Sequence, residues 1–226
     1  ANQPRLLPPP MRGIPGPGYQ LHPWQTLLFG RGDSLARARV FIQLARQQGV
    51  DVVMLAFPGL TTPPRPRPWV PAVLIRDQLY LFDAELGLAL PGPNDRGIAT
   101  LQQVQADPSL LTKLNVGTEY TYRVVEKDLK KVLVLIDASA QDLSRRMQLV
   151  QQNLTGDDRL VLTVNGTDLS ERLKKCPGIE DVIIWPISYE TVWYQTAIEQ
   201  PDYVEAQQMR AREDVNLRRE LLDRHY

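Results

Sequence analysis

The pattern of apolar and polar positions is clearest in the middle of the chain. Residues 50–57 read Val-Asp-Val-Val-Met-Leu-Ala-Phe and close on Pro58-Gly59, which predicts a short strand buried on both faces. Just ahead of it, Leu35, Ala38, Phe41, Ile42 and Ala45 recur at helical spacing. Asp33 stands where it would cap that helix, and Gly49 where it would supply a left-handed stop. Residues 69–75 and 78–83 are two strand-like runs separated only by Arg76-Asp77, the mark of a hairpin. Thr100 and Asp107-Pro108 read as helix starts, giving short helices over 101–105 and 109–114.

Beyond Gly117 the pattern alternates. Residues 129–136, 159–164 and 181–187 are strand-like, with helices expected from near Ser139 and near Thr167. Leu143, Met147, Val150 and Leu154 form the expected apolar stripe of the first of these helices. The order strand, helix, strand, helix, strand predicts an α/β unit with partly parallel strands. A charged helix is expected from Pro201 to Tyr226, its Arg210, Arg212, Arg218, Arg219 and Arg224 alternating with acids as on a solvated face.

Of the 19 prolines, 13 fall at or before Pro71, so the first third differs from the rest. Residues 1–23 are read as an extended arm, whose Leu6, Leu7, Met11, Ile14 and Tyr19 are suited to lie along a surface at low entropic cost. The expected organisation is an arm at 1–23, a core at 24–117, an α/β unit at 118–200 and a charged helix at 201–226. The coreless arm and the uncapped last helix predict that the chain belongs to a longer polypeptide or a stable assembly.

Charge and composition narrow the function. The 226 residues carry 26 Lys plus Arg against 26 Asp plus Glu, so there is no basic surplus for general nucleic-acid binding. No apolar run approaches the roughly 20 residues of a spanning helix, and no direct membrane insertion is expected. The single Cys176 excludes an intrachain disulfide, and with His22 and His225 it gives no zinc set; no metal or cofactor is expected. The compartment stays open, with a periplasmic or secreted setting the expectation.

One stretch carries candidate chemistry. Residues 30–53 read Gly-Arg-Gly-Asp-Ser-Leu-Ala-Arg-Ala-Arg-Val-Phe-Ile-Gln-Leu-Ala-Arg-Gln-Gln-Gly-Val-Asp-Val-Val, a turn opening a helix that runs into a strand. The segment 68–83, Pro-Trp-Val-Pro-Ala-Val-Leu-Ile-Arg-Asp-Gln-Leu-Tyr-Leu-Phe-Asp, follows as a hairpin closed by Glu85-Leu86-Gly87. Together, over residues 24–90, these resemble the transglutaminase-like superfamily. Arm, hairpin and following unit also look like bacterial proteins of planctomycete type that carry such a domain. The resemblance implies an α+β, papain-like core with an antiparallel sheet, followed by a smaller α/β unit. It places the family's nucleophilic Cys on Ser34, its His on Pro68 or a neighbour, and its orienting carboxylate on Asp83.

A thiol at a helix N-terminus is activated by the dipole, whereas a serine there stays protonated unless a base reaches it. Ser34 is therefore read as part of a helix cap, Asp83 as a structural carboxylate, and His22 as the one imidazole that a folded-back arm would bring to Ser34. Trp24, Trp69 and Tyr19 are the candidate binding residues, with core packing the alternative for the tryptophans. Cys176, at the end of a helix, is expected to be a small buried apolar group. The expected function is a non-catalytic module that binds a protein or peptide, including other parts of its own precursor. The alternative is a hydrolase or acyltransferase using Ser34, His22 and Asp83.

Overall fold

The computed structural model describes residues 5–6, 22–59, 66–115, 121–122, 124 and 126–185. β1 (Arg5–Leu6) pairs in parallel with a segment beyond the first helix, α1 (Pro23–Phe29). Pro23 presets the first turn of α1, the Gln25 side chain accepts the His22 N–H at 2.8 Å, and Gly30 ends the helix at φ 62°. β2 (Arg31–Gly32) then leads into α2 (Ser34–Gln47), where Asp33 Oδ1 accepts the Ala36 N–H at 2.7 Å. Gly49, at φ 73°, turns the chain into β3 (Val52–Phe57), all six residues of which are buried.

β4 (Arg67–Ile75) and β5 (Gln78–Asp83) form the expected antiparallel hairpin. Arg76 and Asp77 both take positive φ, 48° and 49°, the backbone that matches the right-handed twist of a two-residue hairpin. After β6 (Leu88–Ala89), α3 (Leu101–Ala106) begins on a reciprocal cap between Thr100 and Gln103, and a 3₁₀ turn covers Pro108–Leu114. α4 (Glu126–Leu129), β7 (Val132–Ile136), α5 (Arg145–Asn153), α6 (Gly166–Leu173) and β8 (Ile179–Ile184) follow.

The result is an α+β fold around one mixed sheet of six strands, in the order β6-β5-β4-β3-β7-β8. Every pair is antiparallel except β7 and β8. β7, on the far side of residues 115–127, hydrogen-bonds directly to β3, so strands from both halves share this sheet. The strands alternate between two cores. Val52, Met54 and Ala56 join Val73 and Leu135 beneath α2, through Ala38 and Ile42. Val53, Leu55 and Phe57 join Leu79, Leu81, Val132 and Val134 on the other face, covered by Leu101 and Val104 of α3, Leu110 and Leu114 of the 3₁₀ turn, and Leu169 and Leu173 of α6. No helix among the described residues is long and apolar enough to cross a membrane.

Several expectations need correction. The segment 159–164 is irregular rather than a strand: the Leu162 N–H goes to the Gln151 side chain, and the Thr163 and Val164 N–H groups go to Asp142, while β3 and β8 already occupy both edges of β7. The helix expected from Ser139 starts six residues later, because the Ser139 N–H and hydroxyl both donate to Asp142 and hold a turn; Ser144 caps α5 instead. The apolar stripe assigned to that helix does not enter the core, and Leu143, Val150 and Leu154 remain exposed. Leu129 belongs to α4 rather than to β7, and α1, in a stretch given no element from the sequence, opens the segment expected to be the core. Tyr19 and the charged helix at 201–226 lie outside the described residues.

Candidate functional site

Ser34 occupies the first position of α2, half-buried, beside the Asp33 cap. His22 is exposed at the N-terminus of α1, its carbonyl accepting the N–H of Thr26 at 3.0 Å and the Thr26 hydroxyl at 3.3 Å. No hydrogen bond joins His22 to Ser34. Among the described residues no base is hydrogen-bonded to the Ser34 hydroxyl, and the helix dipole does little for a hydroxyl of such high intrinsic pKa.

Asp83 is buried, and both its carboxylate oxygens accept hydrogen bonds. Oδ1 accepts the Leu86 N–H at 2.7 Å, closing the turn after β5, and Oδ2 accepts the Tyr122 hydroxyl at 2.8 Å. The Tyr122 oxygen in turn accepts the Trp69 Nε1–H at 3.1 Å. The register of β5 decides which side this chain of bonds lies on. Leu79 and Leu81 face the core away from α2, Tyr80 and Phe82 face α2, and the Phe82 ring meets Phe41 of α2 with centroids 5.1 Å apart. By the same alternation Asp83 points away from the helix that carries Ser34.

The neighbouring strand follows the opposite rule. Met54 pairs with Pro71 and Ala56 with Pro68, so two steps along β3 match three along β4. This bulge puts both Trp69 and Val70 on the face away from α2, where Trp69 stacks on Phe57 at 5.0 Å. Pro68, directly opposite Ala56, shares that residue's face, the one toward α2. Of the positions that the resemblance implies, Ser34 and Pro68 thus lie on the α2 side of the sheet, whereas Asp83, and Arg67 and Trp69 beside Pro68, face the other side. Trp69 is part of the core edge, and Trp24 stands exposed on α1.

Tyr122, the residue that engages Asp83, escaped the sequence reading because it lies in a stretch with no period; only the structure brings it across 39 positions to the carboxylate. A second polar cluster, at the carboxyl end of β7, was also missed. Arg39 Nε meets Asp137 Oδ2 at 3.1 Å, and Arg46 donates to the Asp137 carbonyl and, at 3.1 Å, to the Val52 carbonyl. Burial lowers the Arg46 pKa, opposed by Asp137 and more distant acids. Arg172 of α6 bridges to Asp51 at 2.6 Å. The ends of parallel strands commonly receive ligands; in this fold arginine–aspartate pairs fill the end of β7 and tie α2 and α6 to the sheet. An Asp directly after an apolar strand was the only available sign.

Among the described residues no group of His, Cys, Asp and Glu is arranged to hold a metal ion. Cys176 is buried, and burial pushes its pKa up to about 11, which leaves an inert thiol. No protein-family model, no curated protein and no solved structure matches this chain.

Proposed function

We propose that this chain is a non-catalytic binding or scaffold module that keeps the outline of a transglutaminase-like core and serves within a larger polypeptide or assembly. The observation that carries this reading is the orientation of Asp83, whose carboxylate is committed to Tyr122 and Leu86 on the face of the sheet opposite α2. A relay from carboxylate to imidazole to nucleophile needs all three on one side and in line. The reading as a hydrolase built on Ser34, His22 and Asp83 therefore loses its third member. A protein or peptide partner is supported by α1, a seven-residue helix on which Trp24, Leu27, Leu28 and Phe29 are all about half or more exposed.

The test is direct. Purified protein is assayed for transamidation, peptidase and esterase turnover, alone and as Ser34→Ala. The expected result is no turnover above buffer and unchanged folding of the variant. A measurable rate abolished by Ser34→Ala overturns the proposal.

A further inference from the structure

The chain uses arginine for most of its positive charge, with 20 arginines and six lysines. Five of those six lysines fall in two short segments: Lys127, Lys130 and Lys131 in and just after α4, and Lys174 and Lys175 in the turn from α6 to β8. Because β7 and β8 run in parallel, with Val132 opposite Ile179, these are the two segments that lead into the same edge of the sheet. All five lysines are exposed. Lys131 faces Glu180 at 3.6 Å; the other four form no ion pair among the described residues. Asp128 of α4 is committed to Arg67 at 3.2 Å.

The two segments are clamped together. Gln105 Nε2 donates to the Leu129 carbonyl and to the Gly178 carbonyl, both at 2.8 Å. Gly178 sits at φ +85°, and a Cβ there would fall 1.9 Å from Gln105 Oε1, so the clamp depends on glycine. Between the segments lies an open groove of about 590 Å³, lined by Leu129, Ile179 and Gln105 with Lys130, Lys131, Glu126 and Glu180 around them, while Lys127, Lys174 and Lys175 stand outside its lining. The clamp fixes the backbone of the two segments, so little loop freedom is lost on binding.

We infer that this lysine-bearing rim is a docking surface for an acidic polypeptide segment. Lysines present compact charges with rotatable donors, which suit carboxylates held at varied angles on a peptide. A polyphosphate fits less well. A chain of zero net charge gives a nucleic acid no long-range attraction. The apolar groove lining favours a ligand with side chains of its own, and charge complementarity fixes its register. The inference does not depend on the absence of catalysis.

The experiment is a fluorescence-anisotropy titration of the whole chain with a labelled peptide of alternating Glu, Asp and Leu. Expected is saturable binding that weakens about tenfold on raising salt from low to several times physiological strength. Lys130→Gln/Lys131→Gln/Lys174→Gln/Lys175→Gln is expected to weaken it about tenfold or more. Arg96→Gln/Arg145→Gln/Arg146→Gln/Arg159→Gln, which removes the same charge from exposed sites elsewhere, is expected to change it less than about twofold. Far-UV circular dichroism checks folding, and if the fourfold lysine variant unfolds, Lys174→Gln/Lys175→Gln reads the same loss at about threefold. Absence of saturable binding, equal loss in the arginine control, or tighter binding of single-stranded RNA or phosphatidylserine vesicles than of the peptide overturns the inference.

Discussion

Asp142 offers the sharpest test of the physical account. It is 4% exposed and accepts five hydrogen bonds: from the Ser139 N–H and hydroxyl at 2.9 and 2.6 Å, from the Thr163 N–H and hydroxyl at 2.9 Å each, and from the Val164 N–H at 3.4 Å. It thereby fastens the loop after β7 to the segment before α6. Asp142→Asn keeps the shape but leaves one oxygen; whichever way the amide turns, its NH₂ confronts the donors of Ser139 or of Thr163. Losing charge-assisted bonds worth about 1.5–3 kcal/mol and stranding a buried N–H predicts a destabilisation of about 3 kcal/mol. Burial works to raise the Asp142 pKa, but the bonds from Ser139 and Thr163 outweigh it and hold the group below the usual carboxylate value. A depressed folded-state pKa stabilises fully above the unfolded value of about 3.9, and the contribution is lost as pH falls through the folded value. Urea unfolding followed by tryptophan fluorescence should therefore show a constant gap between wild type and variant from about pH 5 to 8, shrinking below about pH 4. A gap under about 1 kcal/mol at pH 7, or one that persists unchanged into strong acid, refutes the reasoning.

Two further outcomes follow from the same geometry. Tyr122→Phe removes the hydroxyl between Trp69 and Asp83 and should cost about 1–3 kcal/mol in thermal or urea unfolding, because a buried carboxylate oxygen loses its donor; a variant as stable as wild type would show the contact to be idle. Cys176, with its pKa near 11, should react with a disulfide reagent at pH 8 only as fast as the protein opens, and at the free-thiol rate once unfolded in urea; rapid labelling of the folded chain would contradict its burial.

The residues that were legible in the sequence are those whose structure is set locally. Asp33, the apolar stripe of α2, Gly49 and the continuous run of β3 each specify an element within a few positions, and the hairpin at Arg76-Asp77 needs no distant partner. The errors came where side chains compete with the backbone. Ser139 reads as a helix start, yet its hydroxyl is spent on Asp142, and residues 159–164 have strand composition but give their amides to Gln151 and Asp142. The α5 stripe has the right period and no surface among the described residues to pack on, so periodicity alone did not imply burial. For the candidate site, the resemblance pointed to Ser34, to Pro68 or a neighbour, and to Asp83, but had no access to parity, which depends on pairing register and on a bulge that spacing does not reveal.

That parity bears on whether the relay implied by the resemblance can be built into this chain. Ser34→Cys/Pro68→His would put a thiol at the positive end of α2, where the dipole favours the thiolate, and an imidazole on the face of the sheet toward that helix. The orienting carboxylate would still be missing, because Asp83 points to the other core and is held there by Leu86 and Tyr122. In a working relay the carboxylate fixes the imidazole's tautomer and stabilises its cation, and converting it to the amide costs several orders of magnitude in rate. Here the iodoacetamide reaction of the double variant, followed from pH 5 to 9, should change less than about twofold when Asp83→Asn is added. Asparagine can keep the Leu86 contact through its oxygen, so the comparison is made in a folded protein, and circular dichroism verifies that. A tenfold or greater drop in rate, or a displaced pH profile, would mean that Asp83 acts on the α2 face after all. The division of the three positions between two faces would then be wrong, and with it the main support for a non-catalytic role.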